Sequence, residues 1–468
     1  MTRASGPPVD EASWLRLDRR AGETLRAALE RALRDAIRDG ALRAGVRLPS
    51  SRRLAEQMGV SRGVASDVYA QLEAQGFVTM RPRSAPVVAP VRAAVRHGAE
   101  AGPPPARPPR FDMTPTTPDV SLFPMRRWLA ASAHAMRGAP VSALGYGDPL
   151  GDPGLRETLA GHLGRTRGVV ADPARIVIVQ GTAQGIDLLL RVLVARGARR
   201  VAVEDPSLNR QHERIRGVGL EPVGAPVDGQ GIVVAGMRAE AALVTPAHQF
   251  PTGVVLSGER RRELLDWSRA HGGLVIEDDY DAEFRYDREP VRVMQGLDPE
   301  RVAYLGTVSK SLAPALRIGW LVAPPGLIDD AARTKRLLDF ASPVLDQLAL
   351  RRLMESGDYD RHIRRVRAVY RARRDRLTGA LARRLPELEV QGVAAGLHVL
   401  ARLPDGLDDE RVAREAAAAG LLVEPLSESW LGPRGPHGLV LGYGGVHESA
   451  VEPAVEELAA AIERAASR

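Results

Sequence analysis

The 468-residue sequence predicts an α/β body, built on a mainly parallel sheet, behind a small arginine-rich helical head. Three observations predict it. Beyond Phe111, short apolar runs alternate with helix-period segments: Ile176 to Val179, Arg200 to Val203, Ala242 to Val244, Leu274 to Ile276, Val302 to Leu305 and Ile318 to Val322. These runs are apolar on both faces, as strands covered on both sides must be. Ahead of them, residues 1–110 hold 19 arginines against 11 acidic residues, whereas the remainder is nearly neutral at 46 basic against 47 acidic. Between the two, residues 84–110 are rich in Pro, Ala, Arg and Gly, a composition that builds no core and reads as a linker.

The head begins with an amphipathic stripe, Leu25, Ala28, Leu29, Ala32, Leu33, Ala36 and Ile37, stopped by Gly40. A short helix from Ser51 to Met58 follows, then Gly59-Val60-Ser61, then a helix from Arg62 to about Ala74 with Ser61 as its N-cap. Two short helices about a glycine turn form a helix-turn-helix, whose second helix enters the major groove by its N-terminal residues Ser61, Arg62 and Gly63. Gly76 to Arg83 reads as a strand and Ala85 to Ala89 as its return, which makes the head a winged helix-turn-helix. Leu48 to Ala55, Val60-Ser61-Arg62, Tyr69, Leu72 and Gly76-Phe77 together resemble the DNA-binding head of GntR-type bacterial regulators. The resemblance implies that Arg52, Ser61 and Arg62 touch operator DNA and that Arg81 and Arg83 serve the wing. The wing tip Arg81-Pro82-Arg83-Ser84 departs from the Gly-x-Gly tip common in that family.

Composition excludes several chemistries. Cysteine is absent, which removes disulfides, thiolate metal sites and cysteine nucleophiles. No apolar run approaches the roughly 20 residues that span a bilayer, and the N-terminus has no basic-then-apolar leader, so a cytoplasmic protein is expected.

In the body, polar motifs follow the strands, where an open α/β sheet binds its ligand. Gln180-Gly181-Thr182-Ala183-Gln184-Gly185 lies between a strand and the helix Ile186 to Val194, and helix N-terminal N–H groups there suit a phosphate. Glu277-Asp278-Asp279-Tyr280-Asp281 follows the strand ending at Ile276. A carboxylate there can keep a pyridine nitrogen protonated or bind a divalent metal, and the phenol two residues on points to the same side. The third motif, Leu305 to Trp320, holds Lys310. Lysine occurs only at 310 and 335, so arginine is the default cation and a retained lysine invites a chemical reason. A desolvated lysine amine forms an imine with an aldehyde cofactor, which arginine cannot do. Hydroxyls at Thr307, Ser309 and Ser311, with Arg317, form a nest for phosphate beside it. Imine lysine, ring-nitrogen carboxylate, ring-oxygen phenol and phosphate cradle are the parts of a pyridoxal phosphate site.

From about Phe111 onward the chain resembles fold-type I aminotransferases, and more closely the MocR-type regulators, in which such a body follows a GntR head. The markers include Pro118-Asp119, Tyr146-Gly147-Asp148-Pro149, Gln180 to Gln184, Thr245 to Gly253, Glu277 to Asp281 and Thr307 to Arg317. The resemblance implies a winged helix-turn-helix at 14–83, a linker at 84–110 and a pyridoxal phosphate-binding body at 111–468 with a small C-terminal α+β subdomain. It implies Lys310 as the Schiff-base lysine, Asp278 as the pyridinium partner and Tyr280 on the ring hydroxyl. Thr182, Ala183, Thr307, Ser309 and Arg317 would hold the phosphate, with Tyr146 from a partner subunit and His248 and Gln249 near the ring, and the Gln184 side chain is a further cofactor-binding candidate at the start of the helix. It also implies a homodimer. Leu208 stands where the family has a ring-stacking aromatic residue, and Leu439 to Tyr443 lacks the arginine that clamps a substrate carboxylate in aminotransferases. Arg210 is the nearer candidate for that clamp and Arg434 a distant one.

The expected function is a DNA-binding transcriptional regulator that senses pyridoxal phosphate or an amino compound through an aldimine at Lys310. Efficient transamination is not expected. The rival is a working aminotransferase with an accessory head, and a body in which Lys310 is a relic predicts no imine absorbance.

Overall fold

The computed structural model describes residues 15, 17–82, 84–90, 109–281, 283–286 and 292–467. Arg83 and most of the predicted linker lie outside these residues. The described chain forms two compact units, one ahead of Pro108 and one behind it.

In the first unit, α1 (Leu25–Arg38), α2 (Ser51–Met58) and α3 (Arg62–Ala74) pack around Leu29, Leu33, Ile37, Leu54, Ala65, Val68 and Leu72, all buried. The helix bounds follow from local chemistry. Gly59, at φ 63, ends α2 in the left-handed conformation that glycine adopts without strain, and the Ser61 hydroxyl accepts from Val64 N–H at 3.2 Å to start α3. The buried Tyr69 hydroxyl donates to the Pro49 carbonyl at 2.8 Å, tying α3 to the turn before α2. The predicted wing strands shrink to β1 (Val78–Thr79) and β2 (Val87–Val88), an antiparallel pair. Met80 N–H leaves the ladder for the Glu73 carboxylate at 2.9 Å, and Pro82 brings no N–H to extend it.

The second unit opens with β3 (Phe111–Asp112), α4 (Met125–Gly138) and α5 (Pro153–Arg167). Its large sheet uses β4 (Ile176–Val179), β5 (Arg200–Asp205), β6 (Glu221–Asp228), β7 (Gly231–Ile232), β8 (Ala241–Val244), β9 (Leu274–Asp278), β10 (Val302–Thr307) and β11 (Gly319–Val322). Their spatial order is β4-β11-β10-β9-β8-β5-β6-β7. β11 runs antiparallel to both neighbours and β7 to β6, while the contacts among β10, β9, β8, β5 and β6 are parallel. The helices α6 (Thr182–Ala195), α7 (Asn209–Gly217) and α8 (Gly258–His271) connect these strands, and α9 (Ile328–Asp339), α10 (Val344–Glu355) and α11 (Asp358–Arg384) follow them.

A small subdomain carries β12 (Glu389–Gln391), β13 (His398–Arg402), α12 (Asp409–Ala418), β14 (Leu421–Leu422), β15 (Glu424–Pro425), β16 (Gly438–Gly442) and α13 (Val451–Ala466). Its sheet has the order β12-β13-β16-β15, and β14 pairs with β3. The closing helix α13 buries Val451, Val455, Leu458, Ala459 and Ile462 along one face.

β9 and β10 each extend past the apolar run that announced them. Asp278 and Thr307 remain in register with Leu305 and Gly319, so pairing continues after apolarity ends. The two polar groups thereby sit on rigid strand ends rather than in loops.

Candidate functional site

A cavity of about 270 Å³ opens at the carboxyl ends of β9 and β10 and at the start of α6. Thr307 closes β10. Its hydroxyl donates to the Ile318 carbonyl at 2.9 Å and lies 2.9 Å from the Ser309 hydroxyl, while Ser309 N–H donates back to Thr307 Oγ1 at 3.1 Å. This local knot turns the chain so that Ser309 and Lys310 both line the cavity. A short turn, Pro314–Leu316, then delivers Arg317 in the left-handed conformation at φ 51, and its guanidinium donates to the Gln180 carbonyl. Gly181, at φ 79 and ψ 169, precedes α6 with no side-chain cap. Thr182 and Ala183 therefore present first-turn N–H groups without intrahelical partners to the cavity they line. A Cβ on Gly181 would lie 3.2 Å from both terminal nitrogens of Arg317.

Asp278, the last residue of β9, is 7 % exposed, and its Oδ1 has no hydrogen-bond partner among the described residues. Burial, then the charges of Asp279 and Asp281, push its carboxyl up to about 7, against the pull of Lys310 and the Thr182 hydroxyl. The half-buried Lys310 amine is lowered, chiefly by desolvation, with Arg210 and Arg317 adding to the effect and Asp281 and Asp278 opposing it. Burial and the neighbouring acids raise the Tyr280 phenol well above its ordinary value, so it stays protonated; it donates to the His248 carbonyl at 3.3 Å. Strand alternation sends Asp279 to the opposite face, where Arg167 binds it bidentately at 2.9 and 2.8 Å and Tyr304 donates to it at 2.7 Å.

Not every residue singled out in the sequence faces this cavity. Gln184 turns away: its Oε1 accepts from Gln180 N–H at 2.8 Å and its amide donates to Asp339 at 2.7 Å, beside the buried ammonium of Lys335. Ser311 also faces away, 3.0 Å from the Tyr359 hydroxyl, which corrects its expected place in the phosphate nest. Gln249 is buried against its own loop, donating to the Pro206 carbonyl at 2.8 Å and accepting from Thr252. His248 lies behind Tyr280, 3.0 Å from Asp281 Oδ2. Tyr146 is 86 % exposed and meets the Phe340 ring at 5.5 Å. Leu208 and Arg210 line the cavity, whereas Arg434 pairs with Glu410 at 2.8 Å.

The sequence reading missed Glu204, which also lines the cavity. It accepts from Thr245 N–H at 3.1 Å and from its hydroxyl at 2.6 Å, and burial pushes it up to about 7. An acid at the carboxyl end of a strand with an apolar run, Val201 to Val203, is the signal that could have found it, as Asp278 ends the strand that begins Leu274 to Ile276.

In the head, Arg52 is exposed in the first turn of α2 and pairs with Glu56 at 3.1 Å. Ser61, Arg62 and Gly63 are exposed at the start of α3, and Arg81 is exposed beyond β1. Among the described residues, no helix is long and apolar enough to cross a membrane.

Residues 116–431 match the family of class I and II aminotransferases, and residues 25–88 match the gntR family of bacterial regulatory proteins. The chain is 31% identical to the probable rhizopine catabolism regulatory protein MocR of Rhizobium meliloti, over 95% of each chain. It is 31% identical to the HTH-type pyridoxine biosynthesis transcriptional regulator PdxR of Corynebacterium glutamicum, over 90% of this chain and 92% of that one. Among solved structures, Pyrococcus horikoshii kynurenine aminotransferase in complex with PMP superposes with a TM-score of 0.70 at 28% identity, over 76% of this chain and 91% of that one.

Proposed function

Because the chain belongs to the MocR-type group, in which a gntR-family head precedes a class I and II aminotransferase body, we propose that its body binds pyridoxal phosphate through Lys310 and reports a small molecule to the DNA-binding head. The observation that carries this reading is the buried Asp278 Oδ1, an acceptor without a donor on the wall it shares with the Lys310 amine. Asp278 would accept a hydrogen bond from a protonated pyridine nitrogen there, and the positive charge beside it would favour its ionised form. When bound, the cofactor supplies an aldehyde that joins an amine covalently and a ring that draws off electrons.

The chain's own groups divide the remaining tasks. Desolvation lowers Lys310 and so favours its uncharged, nucleophilic form. The N–H groups of Thr182 and Ala183, the hydroxyls of Thr307 and Ser309, and Arg317 provide donors for a phosphate dianion. Tyr280, held protonated, would turn its hydroxyl from the His248 carbonyl to the ring oxygen, and Leu208 would pack on the ring by dispersion. Arg210 stands exposed at the cavity to receive an anionic group of an effector. The strand β16 offers no clamp: Tyr443, which follows it, is buried and donates to the Ala395 and Gly396 carbonyls.

A homodimer is supported by exposed apolar side chains on α4 and the turn after it. Met125, Leu129, Val141 and Leu144 are between 57 and 87 % exposed, as are Tyr146 and Phe340 nearby. Two heads would then read two half-sites, and a ligand alters DNA binding only through different affinities for two arrangements of the dimer.

The test uses a duplex selected from a random pool by the purified protein. Its affinity is measured with and without pyridoxal phosphate and candidate amines. A cofactor-dependent change of several-fold, lost in Lys310→Ala, supports the reading. Unchanged affinity, or sustained turnover of an amino donor with a keto acid, sinks it in favour of a working aminotransferase.

A further inference from the structure

We infer that His248, Asp281 and His398 form a binding site for a divalent transition-metal ion of the zinc class, joining the large and small subdomains behind the cofactor cavity. His248 lies in the loop after β8, Asp281 follows β9, and His398 opens β13 of the small sheet. One ligand atom from each lies within 4.8 Å of the others. The three residues are 3, 2 and 2 % exposed.

The hydrogen bond of His248 Nδ1 to Asp281 Oδ2, at 3.0 Å, accounts for two of the three without any ion. It leaves His398 unexplained. That ring is sealed between His248 and Phe250, with centroids 4.8 and 5.1 Å away, and neither of its nitrogens has a hydrogen-bond partner among the described residues. The Pro251 carbonyl faces the ring without reaching hydrogen-bond geometry. A buried polar ring left unsatisfied is costly, so a residue kept in that state calls for a partner.

Two imidazoles and one carboxylate make a donor set that suits zinc or ferrous iron, with water able to complete a tetrahedral shell. With metal–ligand bonds of about 2.0–2.1 Å, tetrahedral ligand atoms lie roughly 3.3 Å apart, so the widest pair closes by at most about 1.5 Å on binding. Gly396, at φ 68, allows the chain leading into β13 to close over the site: a Cβ there would lie 2.2 Å from the His248 ring and 2.5 Å from Asp281 Oδ2. An ion here would pin β13 to the end of β9 directly behind Tyr280. A second group of potential ligands, Asp408, Asp409 and His437, serves as a control, because Asp409 is already occupied by Ser427 N–H, Gly438 N–H and His437.

The experiment strips the full-length protein of metal with a chelator and titrates it with Co²⁺, whose visible bands gain strength in tetrahedral coordination. One Co²⁺ per chain, displaced by one equivalent of Zn²⁺, is expected in wild type, in Lys310→Ala and in His437→Ala. His398→Phe and Asp281→Asn should lower the affinity at least about 100-fold. His398→Cys retains a donor, so it should still bind and add a near-ultraviolet thiolate-to-cobalt band, which separates ligand loss from misfolding. Absence of the visible bands in wild type overturns the inference. So does a site that survives His398→Phe or disappears in His437→Ala. Because Lys310→Ala retains this site, its failure is distinguishable from failure of the cofactor reading.

Discussion

Replacing Asp278 by Asn separates stability from cofactor binding, and the two effects have opposite signs. In the cofactor-free protein the carboxyl titrates at about 7 instead of its ordinary 3.8. Between those values the folded chain holds a proton that the unfolded chain has released, so the stability tied to this group is fully present below about pH 4 and is lost as pH rises through 7. At about 1.4 kcal/mol per pH unit, the loss is on the order of 4 kcal/mol by pH 8, of which on the order of 3 kcal/mol falls between pH 5 and 8. Asn does not titrate and is spared it. Glu277, Glu283 and Glu424, raised to about 7 as well by causes other than Asp278, act in both proteins and cancel in the comparison, whereas Glu204, raised in part by the Asp278 charge, is relieved in the variant and adds to the difference in the same direction. Urea unfolding of both cofactor-free proteins at pH 5 and pH 8 should therefore give a smaller pH 8 loss in Asp278→Asn. Pyridoxal phosphate affinity should fall about 10- to 100-fold, the worth of a charge-assisted hydrogen bond. Parallel pH profiles together with an unchanged affinity would refute the reasoning.

Gly181→Ala forces a side chain into a backbone region that only glycine occupies readily and against Arg317, at a cost of about 1–3 kcal/mol. Equilibrium titration should register this as a roughly 10-fold or greater weakening of cofactor binding, with the Lys310-dependent absorption intact at saturation. Tyr69→Phe orphans the buried Pro49 carbonyl and should destabilise the head by about 1–2 kcal/mol, read as faster hydrogen exchange of α3 amides. Arg62→Ala should weaken binding to the selected duplex by about 10-fold, and if the contact is to phosphate, the slope of log K against log salt should drop by about 0.9.

Local chemistry made much of this architecture legible. The Ser61 cap and Gly59 stop mark α2 and α3, and the buried runs name six of the eight strands of the large sheet, whereas the largely solvent-facing β6 and its short partner β7 gave no such run. The alternation that separates Asp278 and Tyr280 from Asp279 is likewise a local property of a strand. Partners distant in sequence were not legible. Gln184 belongs to Asp339 and Lys335, Ser311 to Tyr359 and Arg434 to Glu410, and nothing in their own neighbourhoods announces these contacts. His398 reads as one more residue of an apolar strand until the fold brings it against His248 and Asp281.

The central claim is that Lys310 anchors pyridoxal phosphate covalently. The most direct test is the visible absorption spectrum of wild type and Lys310→Ala, each incubated with pyridoxal phosphate and then freed of unbound cofactor. Wild type should show a long-wavelength band that is absent from the variant. No such band in wild type, or the same band in both proteins, would contradict the claim.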